Sequence, residues 1–280
     1  MTALPQERRA QRVSGWSGPD RLVLHCGFRK TGTTFIQDVL RENTGKLPGG
    51  FVVSPRDTLT RGWRRAVADD IRRRKRGTAR AVLREAQALG AAIEAMKAQT
   101  VLISDENLFG ADVVAPDGTA TIFDLAGHYL PMLEEALAGA PLDLVFYTRD
   151  MDKWLRSAWG QAVKRKGVTQ DYREWAASLP PLDWDKGIAT IRAAVRAPVT
   201  VFPMEADLEG ENPLLGRALY RHAGLDDAEI AALDLPRASN TALPSGAMDL
   251  MRKINGLGLT PQDRRAVSQL VEENPQVFRS

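Results

Sequence analysis

Residues 22–40 read LVLHCGFRKTGTTFIQDVL: a short apolar run, a glycine-bounded polar loop, then apolar residues at helical spacing. The apolar run is too short for a core helix and reads as a buried strand. Phe35, Ile36, Val39 and Leu40 give the segment after the loop one apolar face. Strand, glycine loop and helix start in immediate succession cradle phosphate, because successive backbone N–H groups turn inward and the helix N-terminus adds partial positive charge. Gly27 and Gly32 stand at the spacing of the triphosphate loop G-x-x-x-x-G-K-S/T, and Thr34 takes its hydroxyl position. The lysine departs from that pattern. Position 33 is Thr33, and the loop's lysine is Lys30. In a triphosphate loop the lysine reaches the outer phosphates while the hydroxyl holds magnesium. Moved back into the loop, Lys30 suits a donor with one phosphate in the cradle and its transferring group beside the ammonium. Taken alone, the loop is also compatible with a small strand-to-helix turn that binds nothing.

Three further apolar runs, Val101–Ile103, Leu142–Tyr147 and Val199–Phe202, are predicted as strands. Between them lie helical patterns: a stripe at Val82, Ala86, Leu89, Ile93 and Met96, then segments 122–139 and 151–166. Strand alternating with helix predicts an α/β fold, a P-loop-type parallel sheet flanked by helices. Segment 45–98 is too long for a simple crossover and is predicted as a helical insertion after the first βα unit, covering the acceptor side. Pro213, Pro236, Pro244, Pro261 and Pro275 punctuate a helical C-terminal cap. Residues 1–20 read as a flexible leader and 21–280 as a single domain.

Composition removes several classes. No apolar stretch approaches the roughly 20 residues that a membrane helix needs. One cysteine, Cys26, excludes a disulfide scaffold, and three histidines make a structural zinc site a poor expectation. A cytoplasmic location is the default. The balance of 38 Lys+Arg against 35 Asp+Glu leaves a net +3, compatible with an anionic substrate, a nucleic acid or solubility alone.

The segment CGFRKTGTTFIQ at 26–37 resembles the 5′-phosphosulfate loop of the sulfotransferases that use 3′-phosphoadenylyl sulfate (PAPS), and is most similar to their bacterial carbohydrate-type branch. A second signature of that family is a strand ending in Arg with a Ser about eight residues on, and VFYTRDMDKWLRSAWGQ at 145–161 matches it at Arg149 and Ser157. Two looser similarities are Ser104-Asp105-Glu106 after the second predicted strand, and Asn240 with the helix from Pro244. The resemblance spans about residues 21–256. It implies PAPS as co-substrate with no metal. The 5′-phosphate would lie against Arg29, Lys30, Thr31, Gly32, Thr33 and Thr34, and the 3′-phosphate against Arg149 and Ser157. A guanidinium fork beside a hydroxyl is a reasonable clamp for a dianion.

Sulfuryl transfer builds negative charge on the bridging oxygen, so a cation there is what catalysis needs most. Lys30 is the candidate. The acceptor must lose a proton, which asks for a base at the strand ends. Glu106 is first choice, Asp105 the alternate because neighbouring side chains point oppositely, and Glu205 a distant third. Glu106 reads equally as a helix-start carboxylate or ion-pair partner. His25, inside a strand, reads as a core imidazole. Trp154 and Trp159 flank Ser157, where one could stack on adenine or both could be core.

The run RGWRRAVADDIRRRKR at 61–76 carries Trp63, Val67 and Ile71 at a spacing of four, so it is predicted as an amphipathic helix with an arginine face. That face is either a solvated surface or the lining of an acceptor groove for an anionic glycan or lipid head group. Membrane-surface contact is a further use, and nucleic acid ranks last because no nucleic-acid module accompanies it. Acceptor identity stays open among glycan, lipid head group, small alcohol and peptide hydroxyl. The competing function class is a P-loop kinase or NTPase with a degenerate loop, for which Asp105 would serve as the magnesium carboxylate. A non-catalytic nucleotide binder is a third.

Overall fold

The computed structural model describes residues 15–56, 58–236 and 243–278. Five strands, β1 (Arg21–His25), β2 (Phe51–Pro55), β3 (Thr100–Ser104), β4 (Leu142–Thr148) and β5 (Val199–Pro203), form one sheet in the order β2-β3-β1-β4-β5. Every neighbouring pair is parallel. The helices in chain order are α1 (Thr33–Glu42), α2 (Arg61–Arg73), α3 (Arg76–Glu94), α4 (Ile122–Ala136), α5 (Met151–Lys166) and α6 (Tyr172–Ala177). They continue with α7 (Trp184–Ala194), α8 (Arg217–Ala223), α9 (Asp227–Ala231), α10 (Ser245–Asn255) and α11 (Pro261–Glu273). None of the described helices is long and apolar enough to cross a membrane.

A parallel sheet covered on both faces needs strands that are apolar on both sides, and the short runs meet that need by alternation. Leu22, Leu24, Val101, Ile103, Leu144 and Phe146 face one layer, with the buried sides of α2, α3, α4 and α7. Val23, Leu102, Val145 and Tyr147 face the other, with Ile36, Val39 and Leu40 of α1 and Leu219 and Tyr220 of α8. Outside these layers, α10 and α11 pack on α5 through Met248, Met251, Val271 and Val163.

Two expectations change. Segment 45–98 is not wholly helical, because it contributes β2 as an edge strand before α2 and α3. Phe51-Val52-Val53 is half-exposed with Val52 on the outer edge, and the strand ends in Pro55. Proline is tolerated at a sheet edge, so a short exposed run ending in proline gave no buried-strand pattern. Residues 15–20, read as part of a flexible leader, are instead packed on the domain. Trp16 is buried in the larger core cluster with its Nε1 donating to the Pro19 carbonyl at 3.0 Å, and Ser17 donates to Glu94 at the end of α3. Residues 1–14 and Asn240 lie outside the described residues.

Topology selects the crevice. The chain leaves β1 for β2 on one side of the sheet, and leaves β4 for β5 on the other. β1 and β4 are neighbours, so the loops after them diverge at the strand ends, which is where open parallel sheets bind ligands. His25 pairs with Val145, and β4 then continues to Thr148, carrying Arg149 past the end of β1.

The arginine helix is anchored by Trp63, which is 1% exposed and donates from Nε1 to the Leu108 carbonyl at 2.8 Å. Trp63→Ala removes that packing and strands the carbonyl. It should lower unfolding free energy by about 3–5 kcal/mol in urea titration, against less than about 0.5 kcal/mol for Leu257→Ala on the surface.

Candidate functional site

The loop after β1 is held by its carbonyls. Thr31 Oγ1 donates to the Phe28 carbonyl at 2.6 Å, Trp154 Nε1 to that of Arg29 at 2.7 Å, and Arg149 Nη1 to that of Lys30 at 3.1 Å. In a planar trans peptide the N–H points opposite to the C=O. The N–H groups of Arg29, Lys30 and Thr31 therefore turn away from these three donors. Among the described residues, no backbone N–H from Gly27 through Phe35 has a protein acceptor, while Cys26 N and Ile36 N on either side do. Gly32 caps α1 without a side-chain hydrogen bond, and no acidic residue stands in the first turn. The result is a run of donors without protein acceptors ahead of a helix start, an arrangement that can meet an anion.

Backbone conformation explains the glycines. Lys30 and Gly32 both take positive φ, at 72° and 83°. A Cβ on Gly32 would also run into Leu215 Cδ2, and one on Gly27 into Thr33 Cγ2. Lys30 bears the left-handed conformation that non-glycine residues adopt at a cost of about 1–3 kcal/mol when the surroundings hold it. The Arg149 hydrogen bond to its carbonyl is one such hold.

Cations crowd the loop. Burial lowers the Lys30 pKa from its ordinary value to about 8, and Lys164, Arg29 and Arg149 push it the same way, while Glu272 opposes them. Burial and then Arg29 likewise lower Lys166. Two carboxylates stand nearby: Glu272 pairs with Lys164 at 3.1 Å and with Arg165 at 3.0 Å, and Asp112 pairs with Lys166.

The candidate bases separate cleanly. Glu106 is 5% exposed and lines a cavity of about 320 Å³ together with Lys30, Arg29 and Trp154. Its Oε2 accepts from Gln37 Nε2 at 2.6 Å, and its Oε1 from Arg56 at 3.2 Å and Asn107 at 3.1 Å. Asp105 turns instead to α2. Its carboxylate accepts from Thr60 at 2.5 Å, Arg64 at 2.7 Å and the Asn107 N–H at 2.9 Å. Burial raises its pKa against those partners. Glu205 accepts from the Asp150 N–H at 2.9 Å, beside the start of α5. His25 is fully buried, with Nδ1 2.8 Å from Ser104 Oγ, and burial lowers its pKa to about 3, so the ring is neutral at physiological pH.

Other expected residues divide by placement. Thr31 and Thr33 are buried and Thr34 is exposed; the Thr31 hydroxyl is spent on Phe28, leaving its N–H as the outward group. Ser157 is half-buried, and its hydroxyl has no hydrogen bond among the described residues. Trp154 is buried against Phe123 and Trp184, and its Nε1 holds the loop at the Arg29 carbonyl. Trp159 donates to the Gln170 carbonyl on the outer side of α5. The arginine run spans two helices: α2 ends at Arg73, Arg74 turns with φ 48°, and α3 begins at Arg76.

Sequence reasoning missed Gln37 and Arg56, the two partners of Glu106 from outside its own segment. Gln37 sits four residues into α1 between Ile36 and Leu40 of its apolar face, and a glutamine drawn into such a face needs a hydrogen-bond partner. Arg56 follows the strand that escaped detection, so nothing in the sequence placed it beside Glu106.

No protein-family model matches the chain, and no curated protein matches it.

A lysine with a folded pKa below its unfolded one holds fewer protons when folded, so its contribution to stability rises with pH between about 8 and about 10.4. Competitive acetylation should give Lys30 a midpoint near 8, and added inorganic pyrophosphate should raise it. An anion-free midpoint above about 10 would contradict this charge environment.

Proposed function

We propose that the chain is a sulfotransferase that moves a sulfuryl group from PAPS to a hydroxyl or amine of an acceptor. The observation that carries this reading is the convergence of donors without acceptors. Among the described residues the N–H groups from Gly27 to Phe35 have no protein acceptor, Arg149 is bonded to the same loop, and Lys30 lines one cavity with the Glu106 carboxylate. A polyanion would supply the acceptors these donors lack, and Glu106 in the same cavity offers a base.

The residues take these roles. The loop N–H groups and Thr34 hold the 5′-phosphate, with Arg29 at the rim. Arg149 and Ser157 hold the 3′-phosphate. Glu106 takes the proton from the acceptor hydroxyl as its oxygen bonds to sulfur. The bond from sulfur to the phosphate oxygen breaks in line, its electron pair stays on that oxygen, and the Lys30 ammonium meets the charge. Gln37 and Asn107 hold the Glu106 carboxylate for that proton. The leaving group is a phosphate whose charge Lys30 and the loop neutralise, so the scheme needs no metal. Asp105, the magnesium carboxylate that a kinase would require, already has Thr60, Arg64 and Asn107 as partners, which favours the sulfotransferase reading.

With sulfur-labelled PAPS and a panel of polysaccharide, lipid and small-alcohol acceptors, the full chain should release adenosine 3′,5′-bisphosphate and label an acceptor. Lys30→Met should reduce kcat by about 10²–10³-fold and Glu106→Gln by about 10²–10⁴-fold. Unaltered turnover in both variants would remove these roles.

A further inference from the structure

Ser157, Gln161 and Lys164 form one row on α5. They stand at i, i+4 and i+7, so at 3.6 residues per turn they fall within about 60° of one another, with Lys164 about 10 Å beyond Ser157 along the axis. Gln161 lines the cavity together with Lys30. Helical side chains lean toward the helix N-terminus, which carries the Lys164 ammonium back toward Gln161. Burial first and then the Lys164 charge lower the Lys30 pKa, while Glu272 opposes them, so both groups stand within electrostatic reach of Lys30.

Lys164 is held by the C-terminal helix. Glu272 of α11 accepts from Lys164 on Oε1 at 3.1 Å and from Arg165 on Oε2 at 3.0 Å. Among the described residues Glu272 is the one ion-pair partner of Lys164, whereas Arg165 also reaches Ser268 Oγ at 3.5 Å. Docking of α10 and α11 does not depend on the Lys164 contact. Asn255 Nδ2 donates to the Val163 and Val168 carbonyls at 2.9 and 3.0 Å, and Arg252 Nε donates to that of Thr169 at 3.1 Å. Met248, Met251 and Val271 pack with Val163.

We propose that Lys164 is a further donor-binding cation, held by Glu272 for exchange onto the phosphate that lies beside Lys30. The inference rests on the sulfuryl-transfer reading and adds a specificity-determining residue to the same site. A phosphate monoester carries more charge than a carboxylate and offers three acceptor oxygens, so it competes well for an ammonium that meets a single oxygen of Glu272. The pair is 20% and 28% exposed, open enough to water to exchange. When Lys164 turns to the phosphate, Glu272 keeps Arg165. No carboxylate is then left unpaired, and α11 stays docked.

Calorimetry on the full chain tests this. Lys164→Gln should weaken adenosine 3′,5′-bisphosphate and adenosine 5′-monophosphate alike by about tenfold, and leave adenosine 3′-monophosphate unchanged. Glu272→Gln should strengthen the bisphosphate by about threefold. That gain should disappear in a Lys164→Gln background. Glu273→Gln, the same charge change on a neighbour that bonds Gln269, should not reproduce it. Undiminished binding in Lys164→Gln, a loss confined to the 3′-monophosphate, a gain that persists without Lys164, or an equal gain in Glu273→Gln would overturn the proposal. If the unaltered chain binds inorganic pyrophosphate with the same coupling of Lys164 to Glu272 but not the bisphosphate, the donor reading fails and the exchange stands. If it binds neither, both fail.

Discussion

The carbonyls of Phe28, Arg29 and Lys30 are each claimed by a side chain, two of them on the segment that follows β4. Peptide planarity turns those three claims into a direction for the next three N–H groups. The loop is therefore not shaped by its glycines alone. Gly27 and Gly32 permit the path, and Trp154 and Arg149 hold it. Arg149 reaches the loop because β4 overruns β1, and Trp154 reaches it because α5 begins at once after Arg149, with Asp150 as its cap. Sheet order, strand length and helix start converge on one hydrogen-bonded frame.

What this frame surrounds is a charge imbalance. Lys30 lies among Arg29, Arg149 and Lys164 in a half-buried setting, and burial first, with these cations adding to it, lowers its pKa. Glu272 and Asp112 offset part of it from the rim. Charges of one sign kept close with donors lacking acceptors are destabilising unless a ligand of opposite sign completes them. Lys30 lines one cavity with Glu106, whose carboxylate is held by Gln37, Arg56 and Asn107; the polyanion proposed above would offset these cations.

The parts of this arrangement that could be read in the sequence are those written locally. The loop, its misplaced lysine, the alternation of strands and helices and the buried stripe of α2 each occupy one contiguous segment with its own periodicity. β2 could not be read, because an edge strand carries few buried positions and this one ends in proline. Losing β2 also hid Arg56, whose meeting with Glu106 depends on β2 pairing with β3. The separation of Asp105 from Glu106 follows from alternation, with Glu106 the first choice for the crevice, but the partners that hold Asp105 away do not. It took Thr60 and Arg64, brought by α2, to show which carboxylate faces away. Trp154 shows the same limit, since its Nε1 partner is a backbone carbonyl that no sequence pattern reports.

The donor we propose for this crevice carries phosphates at both the 3′ and 5′ positions. Calorimetric titration of the full chain with adenosine 3′,5′-bisphosphate in metal-free buffer tests it most directly, beside ATP–magnesium and the Arg149→Ala variant. Micromolar binding of the bisphosphate without metal, lost in the variant, is the result predicted. Tight binding of ATP–magnesium with no affinity for the bisphosphate would contradict it.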